Sequence, residues 1–297
     1  GSIRQPASFN GVVGFKPTYG LSSRYGVVAM ASSTDTMGCF AKSADDIALV
    51  TSVMAGRDPR DMTTLPDYFE VQHDAPKNLK IGMIRETMTD DVDADVRAAV
   101  NNYADRLRAA GHTVETVAVP SIKHALAIYY IVVPAEISSN LARYDGVRYG
   151  RRAEGVKTLA ELYGRSRGEG FVTENKRRIM IGSYVLSSGF FDAYYLQAQK
   201  ARTVLINEFN ALFEQYDFLL MPTAPTPAFG IGENADDPVK MYLADVMTVP
   251  PSLAGLPALS VPAGVNTQGL PIGAQLVGRA KSDAALIALA GSMEARS

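Results

Sequence analysis

The chain begins GSIRQPASFNGVVGFKPTYG, and the chemistry it could do starts at Ser2. A serine hydroxyl is a weak nucleophile until a neighbouring base takes its proton. Glycines around it would let backbone amides approach a reacting carbonyl, and Pro6 would fix a turn that presents the hydroxyl. The same residues serve equally well as an ordinary loop turn, and Gly-Ser is also what a cleaved tag leaves at an N-terminus. Composition leaves these three readings of Ser2 open.

Other chemistries find less support. The chain has three histidines, His73, His112 and His124, and none has a second ligand at a spacing such as HExxH, which argues against zinc. His112 follows Gly111 at a helix end, a position for capping. The GxSxG elbow is absent, and no histidine stands in a motif that would mark it as the base of a Ser-His-Asp hydrolase. GFKPT holds a glycine and a lysine but lacks the spacing of a phosphate-binding loop.

At 297 residues with 47% hydrophobic and 20% charged residues, the chain suits a soluble globular protein with a sizeable core. The formal net charge of −2 gives no global field toward nucleic acid or an anionic membrane. Any RNA partner would have to be met by a local patch or another subunit. No run approaches the ~18 apolar residues of a membrane span, and no signal peptide opens the chain, so a cytoplasmic protein without a membrane partner is expected. The single cysteine, Cys39, excludes an internal disulfide and reads as a small buried hydrophobe. The first methionine is Met30 and the last residues read as a helix that simply stops, which suggests part of a longer chain.

These residues need elements to position them. Residues 1–30 are rich in glycine, serine and aromatics and predict turns rather than a regular helix. SADDIALVTSVMAG predicts a helix with Ser43 as N-cap. A polar, proline-punctuated loop follows. NLKIGMIRE then reads as a buried strand, DADVRAAVNNYADRLRAAGH as a helix with Val96, Val100, Tyr103 and Leu107 on one face, and TVETVAVP as a second strand. That βαβ unit implies a parallel sheet covered by helices. Residues 120–215 are mainly helical in character, and DFLLMPT, LPALSVPAGV and PIGAQLVGRA return to strands. The order argues for one α/β domain over 1–297 with a helical insertion at 120–215.

The opening stretch, continued through LSSRYGVVAMASSTDTMG, resembles the second half of the amidase signature. In that family a run of small residues ends in Gly-Gly-Ser-Ile-Arg, followed by Pro-Ala and Gly-x-x-Gly-x-Lys-Pro-Thr. Every element from the last glycine onward stands here in order. Cys39 takes a position where the family usually has proline. Further on, SSNLARYDGVRYG, SRGEGF, NKRRIMIGSYVLSSGFFDAYY, MPTAPTPAFGIGE and DDPVKMYLADVMTVPPSLAGLPALSVPAG are similar to the branch of the family that serves tRNA-dependent amidotransferases. The likeness covers nearly the whole chain and is weakest over 57–80.

The resemblance implies an amidase-signature fold, a central mixed and mostly parallel sheet covered by helices, with its N-terminal part missing. It implies a glutaminase: a serine attacks the side-chain amide of glutamine, ammonia leaves, and the acyl-enzyme is hydrolysed. Ser2 aligns with that nucleophile. The family's base is a lysine acting through a second serine on a cis peptide, both upstream of the nucleophile, so this chain alone is expected to be inactive. Lys16 belongs to the motif's scaffold. Arg178 and Asp245 align with residues that bind the α-carboxylate and α-ammonium of glutamine, and Tyr129 with a tyrosine near the substrate. A guanidinium fork suits a carboxylate and an aspartate suits an ammonium. Read from their surroundings alone, Arg178 belongs to a solvated helix face, Asp245 to a helix surface and Tyr129 to core packing.

The implied partners are a tRNA-binding, kinase-type subunit that uses ATP and Mg to activate Glu or Asp on tRNA, and a small subunit, forming a heterotrimer. The chain itself is expected to bind no cofactor and to meet tRNA only through the complex, in a bacterial, archaeal or organellar compartment. A stand-alone amide hydrolase and a non-catalytic interaction module are the alternatives.

Overall fold

The computed structural model describes residues 1–233 and 238–294. In chain order the elements are α1 (Arg4–Asn10), β1 (Val13–Lys16), β2 (Cys39–Ala41), α2 (Ala44–Met54), β3 (Lys80–Ile84), α3 (Ala94–Ala109), β4 (Thr113–Val117), α4 (Ala125–Leu141), α5 (Leu159–Gly170), α6 (Thr173–Val185), α7 (Gln197–Leu212), β5 (Phe218–Pro222), α8 (Pro238–Leu243), α9 (Val249–Leu253), β6 (Ala258–Val265), β7 (Pro271–Gly278) and α10 (Asp283–Met293). They fall into two compact units, one of residues 1–25, 36–126 and 202–297, the other of residues 26–35 and 127–201.

The first unit is built on a seven-stranded sheet of order β2-β1-β6-β7-β5-β3-β4. The βαβ unit read from the sequence is β3-α3-β4, whose strands are parallel neighbours with Ile81 opposite Val114. β3 also runs parallel to β5. The ladders β5–β7, β7–β6, β6–β1 and β1–β2 are antiparallel, so the parallel pairing is confined to one end of a mixed sheet. Ser43 caps α2 as its sequence predicts, its hydroxyl accepting from the Asp46 amide at 3.1 Å, and at the start of α3 Asp93 accepts from the Asp95 amide at 2.8 Å. His112 is buried, with Nδ1 accepting from the Leu79 amide at 3.2 Å.

Residues 4–10 form a helix where turns are expected. Pro6 lies in its first turn, where proline is tolerated, and the run from Gln5 to Phe9 contains no glycine. Gly11, at φ 65°, ends the helix rather than preventing it. Cys39 is half-buried rather than buried, because β2 is the edge strand of the sheet.

Strand alternation gives the sheet two different faces. Phe15, Leu259, Ala274 and Leu276 point to the apolar side, where they pack with Ile47 of α2, Val100, Tyr103 and Leu107 of α3, and Leu286 and Leu289 of α10. The other side carries Gly14, Ser260, Thr223 and Gln275, with the Thr223 and Ser260 hydroxyls 2.9 Å apart and fully buried. Helix α1 covers this polar side. It lies so close that a Cβ on Gly14 would overlap Ala7.

One buried carboxylate ties distant segments of the unit together. Asp283, at the start of α10, accepts from the Thr18 amide at 2.8 Å, the Thr18 hydroxyl at 2.6 Å and the Tyr68 hydroxyl at 2.8 Å. The Lys-Pro-Thr of the opening stretch is thus anchored to the last helix.

The second unit is helical, and its core joins Val133, Ile137 and Leu141 of α4 to Ala31, with Tyr129, Phe171 and Ile179 packed against them. Helices α4 and α6 cross closely at Gly182, where a Cβ would overlap the Pro134 carbonyl oxygen.

Candidate active site

Ser2 is exposed and sits in the turn that leads into α1. The turn is held by the Gln5 amide, which donates to the Gly1 carbonyl at 3.0 Å. Gly1 lies against the turn between α8 and α9: its nitrogen is 3.8 Å from Asp245 Oδ1, and a Cβ in its place would collide with Thr248 Oγ1. Only glycine fits there, and the fit sets Ser2 one residue from a half-buried carboxylate.

The Asp245 turn is closed by its own backbone. The Asp245 carbonyl accepts from the Thr248 amide at 2.9 Å, the Val249 amide at 3.2 Å and the Thr248 hydroxyl at 3.0 Å. Thr248 is itself fully buried.

Two buried cations stand behind Ser2. Arg4, 1% exposed, donates to the Thr248 carbonyl at 2.7 Å, to Ser252 Oγ at 2.8 Å and to Gln275 Oε1. Burial lowers its pKa to about 9 and Asp245 opposes the fall, so the guanidinium keeps its charge at neutral pH. Lys16 is buried and donates to the Pro17 carbonyl at 2.8 Å. Burial first, then Arg4, lowers its pKa to about 7, with Asp283 opposing. The structure gives Lys16 a carbonyl partner within its own motif.

Arg178 and Tyr129 come together in the second unit. Arg178, on α6, is mostly buried; its Nε donates to Glu174 Oε1 at 2.8 Å, and its guanidinium lies 5.9 Å from the centre of the Tyr130 ring. Burial works against its charge, while Glu174 and then Tyr129 favour it, and the net effect raises its pKa. Tyr129 and Tyr130, on α4, meet edge to face at 5.1 Å. This is a cation held ready rather than a solvated surface charge. Glu174 takes the Nε edge of the fork, and Tyr129 is a second hydrogen-bond partner of the guanidinium.

Asp245 is thus set against Gly1, one residue before Ser2, in the first unit, and Arg178 is set beside Tyr129 in the second. Arg4, Thr248 and Gln275 are the residues that motif reasoning passes over. The one signal for Arg4 is a charge standing among small and apolar residues in GSIRQPAS.

A family profile described as Amidase matches residues 1–287. The chain is 53% identical over 298 residues to the A subunit of glutamyl-tRNA(Gln) amidotransferase of Granulibacter bethesdensis, covering 99% of this chain and 60% of that protein. It is 50% identical to the protein of the same name from Thermosynechococcus vestitus, covering 99% of this chain and 62% of that one. Among solved structures, the A subunit of glutamyl-tRNA(Gln) amidotransferase from Thermotoga maritima superposes with a TM-score of 0.78 at 38% identity, covering 98% of this chain and 59% of that one. The chain therefore spans about 60% of the length of the relatives it matches.

Proposed function

The chain belongs to the amidase family, and on that premise we propose that it is the glutamine-hydrolysing portion of the A subunit of a tRNA-dependent amidotransferase. The observation that carries the reading is an exposed Ser2 whose neighbour Gly1 lies against Asp245, in a chain about half identical to proteins of that name. In this reading Ser2 Oγ adds to the side-chain carbonyl of glutamine as its proton passes to a base. Collapse of the tetrahedral intermediate breaks the C–N bond, and the leaving nitrogen takes up the proton to depart as ammonia. Water then cleaves the ester, releasing glutamate and restoring the Ser2 hydroxyl. The family resemblance gives Asp245 the role of meeting the α-ammonium, and Arg178 and Tyr129 that of meeting the α-carboxylate.

The base lysine and its relay serine belong, by the family pattern, to the additional length of the relatives that precedes the position of Gly1. Ammonia released here would serve a partner that activates tRNA-bound Glu or Asp with ATP and Mg, in the cytoplasm or an organelle. Among the described residues no helix is long and apolar enough to cross a membrane.

The test is ammonia release from glutamine by the natural protein containing this chain, assembled with its partner subunits. Ser2→Ala is expected to lower kcat by roughly 10³-fold or more. Undiminished activity in that variant would overturn the nucleophile assignment. Hydrolysis of simple amides with no response to partners or tRNA would turn the reading toward a stand-alone amidase.

A further inference from the structure

Among the described residues, Arg4 is the largest side chain to be fully buried. Placing a guanidinium out of water is costly unless its donors are met, and here they are met by one small region. Arg4 Nη2 donates to the Thr248 carbonyl at 2.7 Å, while its Nη1 donates to Gln275 Oε1. Gln275, 0% exposed on the polar face of β7, turns its Nε2 to the Met247 carbonyl at 2.9 Å. Two successive carbonyls of the Asp245 turn are therefore gripped from two sides by one connected pair. Ser252 Oγ, which accepts from Arg4 at 2.8 Å, also donates to the Thr248 carbonyl at 3.2 Å. Arg4 lies two residues beyond Ser2, on the helix that carries the serine's turn. The grip joins the two halves of the site.

We propose that Arg4 and Gln275 are positioning residues that set the separation of Ser2 and Asp245, and so favour amides bearing an α-ammonium over plain primary amides. The inference rests on the reading of Ser2 as nucleophile and Asp245 as the ammonium's partner. Thr248 is the link: its amide and hydroxyl hold the Asp245 carbonyl, so displacing the Thr248 peptide displaces the carboxylate. Ser2 chemistry on an amide without an α-amino group does not depend on that placement. A side chain that merely filled space would affect both substrate types alike.

The test uses the natural protein assembled with its partner subunits, with glutamine and propionamide as substrates. Gln275→Met removes the side chain's hydrogen bonds to Arg4, Met247 and Pro222 at similar volume, and is expected to raise the glutamine KM about tenfold with kcat for glutamine and kcat/KM for propionamide within about twofold of wild type. Gln275→Glu restores the acceptor for Arg4 and should keep KM within about threefold, while Ser252→Ala, a milder change, should raise it about threefold. In an Asp245→Asn background, Gln275→Met should add nothing further to KM, because the group it positions has lost its charge. Equal losses on both substrates, or effects of Gln275→Met and Asp245→Asn that multiply, would overturn the inference.

A wild-type protein without glutamine turnover would instead remove the functional reading. The positioning claim then stands or falls on hydrogen exchange of the Thr248 and Val249 amides. Gln275→Met should accelerate both about tenfold while β6 and β7 amides stay protected, and unchanged exchange at those two amides would sink it.

Discussion

Lys16 carries an amine into the interior, where it donates to the Pro17 carbonyl, and the consequence is a pH dependence of stability. Its folded pKa of about 7 lies below the ordinary lysine value of 10.5. Between those two values the unfolded chain binds more protons than the native one, so stability rises with pH across that window, and the cost of burying the charge is fully felt below about 7. From pH 6 to pH 8 the contribution of Lys16 is expected to improve by on the order of 1 kcal/mol. Urea unfolding at the two pH values should show that gain in the wild type relative to Lys16→Met, and parallel behaviour of the two proteins would contradict it. At this scale the sequence is informative about residue type and poor about neighbours. Ser2, Arg178, Asp245 and Tyr129 can be singled out because each stands in a recognisable stretch. Arg4 cannot, because its acceptors Thr248 and Gln275 lie at the other end of the chain, and nothing local indicates that they converge.

Helices α4 and α6 show how an element places a residue without touching a ligand. Gly182 follows Arg178 by one turn on α6, and its missing side chain lets the backbone meet Pro134 of α4. That approach keeps the Arg178 guanidinium over Tyr130 and beside Tyr129. Gly182→Ala should push the helices apart, costing about 1–3 kcal/mol of stability as overpacking does. The glutamine KM should rise about threefold or more as the fork moves. Denaturant unfolding and steady-state kinetics check the two halves, and a variant unchanged in both would show that the close approach is incidental. Elements with strong local signals are legible. The caps at Ser43 and Asp93 and the β3-α3-β4 unit follow from hydrogen-bonding side chains and apolar period, both local properties. Helix α1 is not, since its flanking glycines suggest turns while the α-helical stretch is only 7 residues long. The polar face of the sheet is equally hidden. Ser260 and Gln275 read as ordinary strand residues until β1, β6 and β7 are set side by side beneath α1.

Over the whole molecule, the charge balance bears on the tRNA. A formal net charge of −2 supplies no sequence-independent attraction to a phosphate backbone. This chain by itself is therefore expected to bind tRNA no more tightly than about 1 µM at physiological salt. Fluorescence anisotropy with labelled tRNA would measure this, and tighter, salt-sensitive binding would mean that this protein reads tRNA directly. The division into two units is only partly foreseeable: residues 120–215 hold no strand, yet the short segment 26–35 clusters with residues 127–201, a long-range association that periodicity does not reveal.

The pairing of β1 with β6 also has a consequence in time. Gly14 lies opposite Ser260, so the strand just after the candidate nucleophile finds its inner neighbour about 250 residues later in the chain. At ribosomal rates of ~5–20 residues per second, that delay is roughly 12–50 s. Throughout it β1 lacks β6 beside it, Arg4 has no Gln275 and, until the last dozen residues, no Thr248 to receive its donors, and Thr18 has no Asp283. The serine is thus among the first of these residues to be synthesised and among the last to be set in place, and a nascent chain carries no finished site with which to hydrolyse anything.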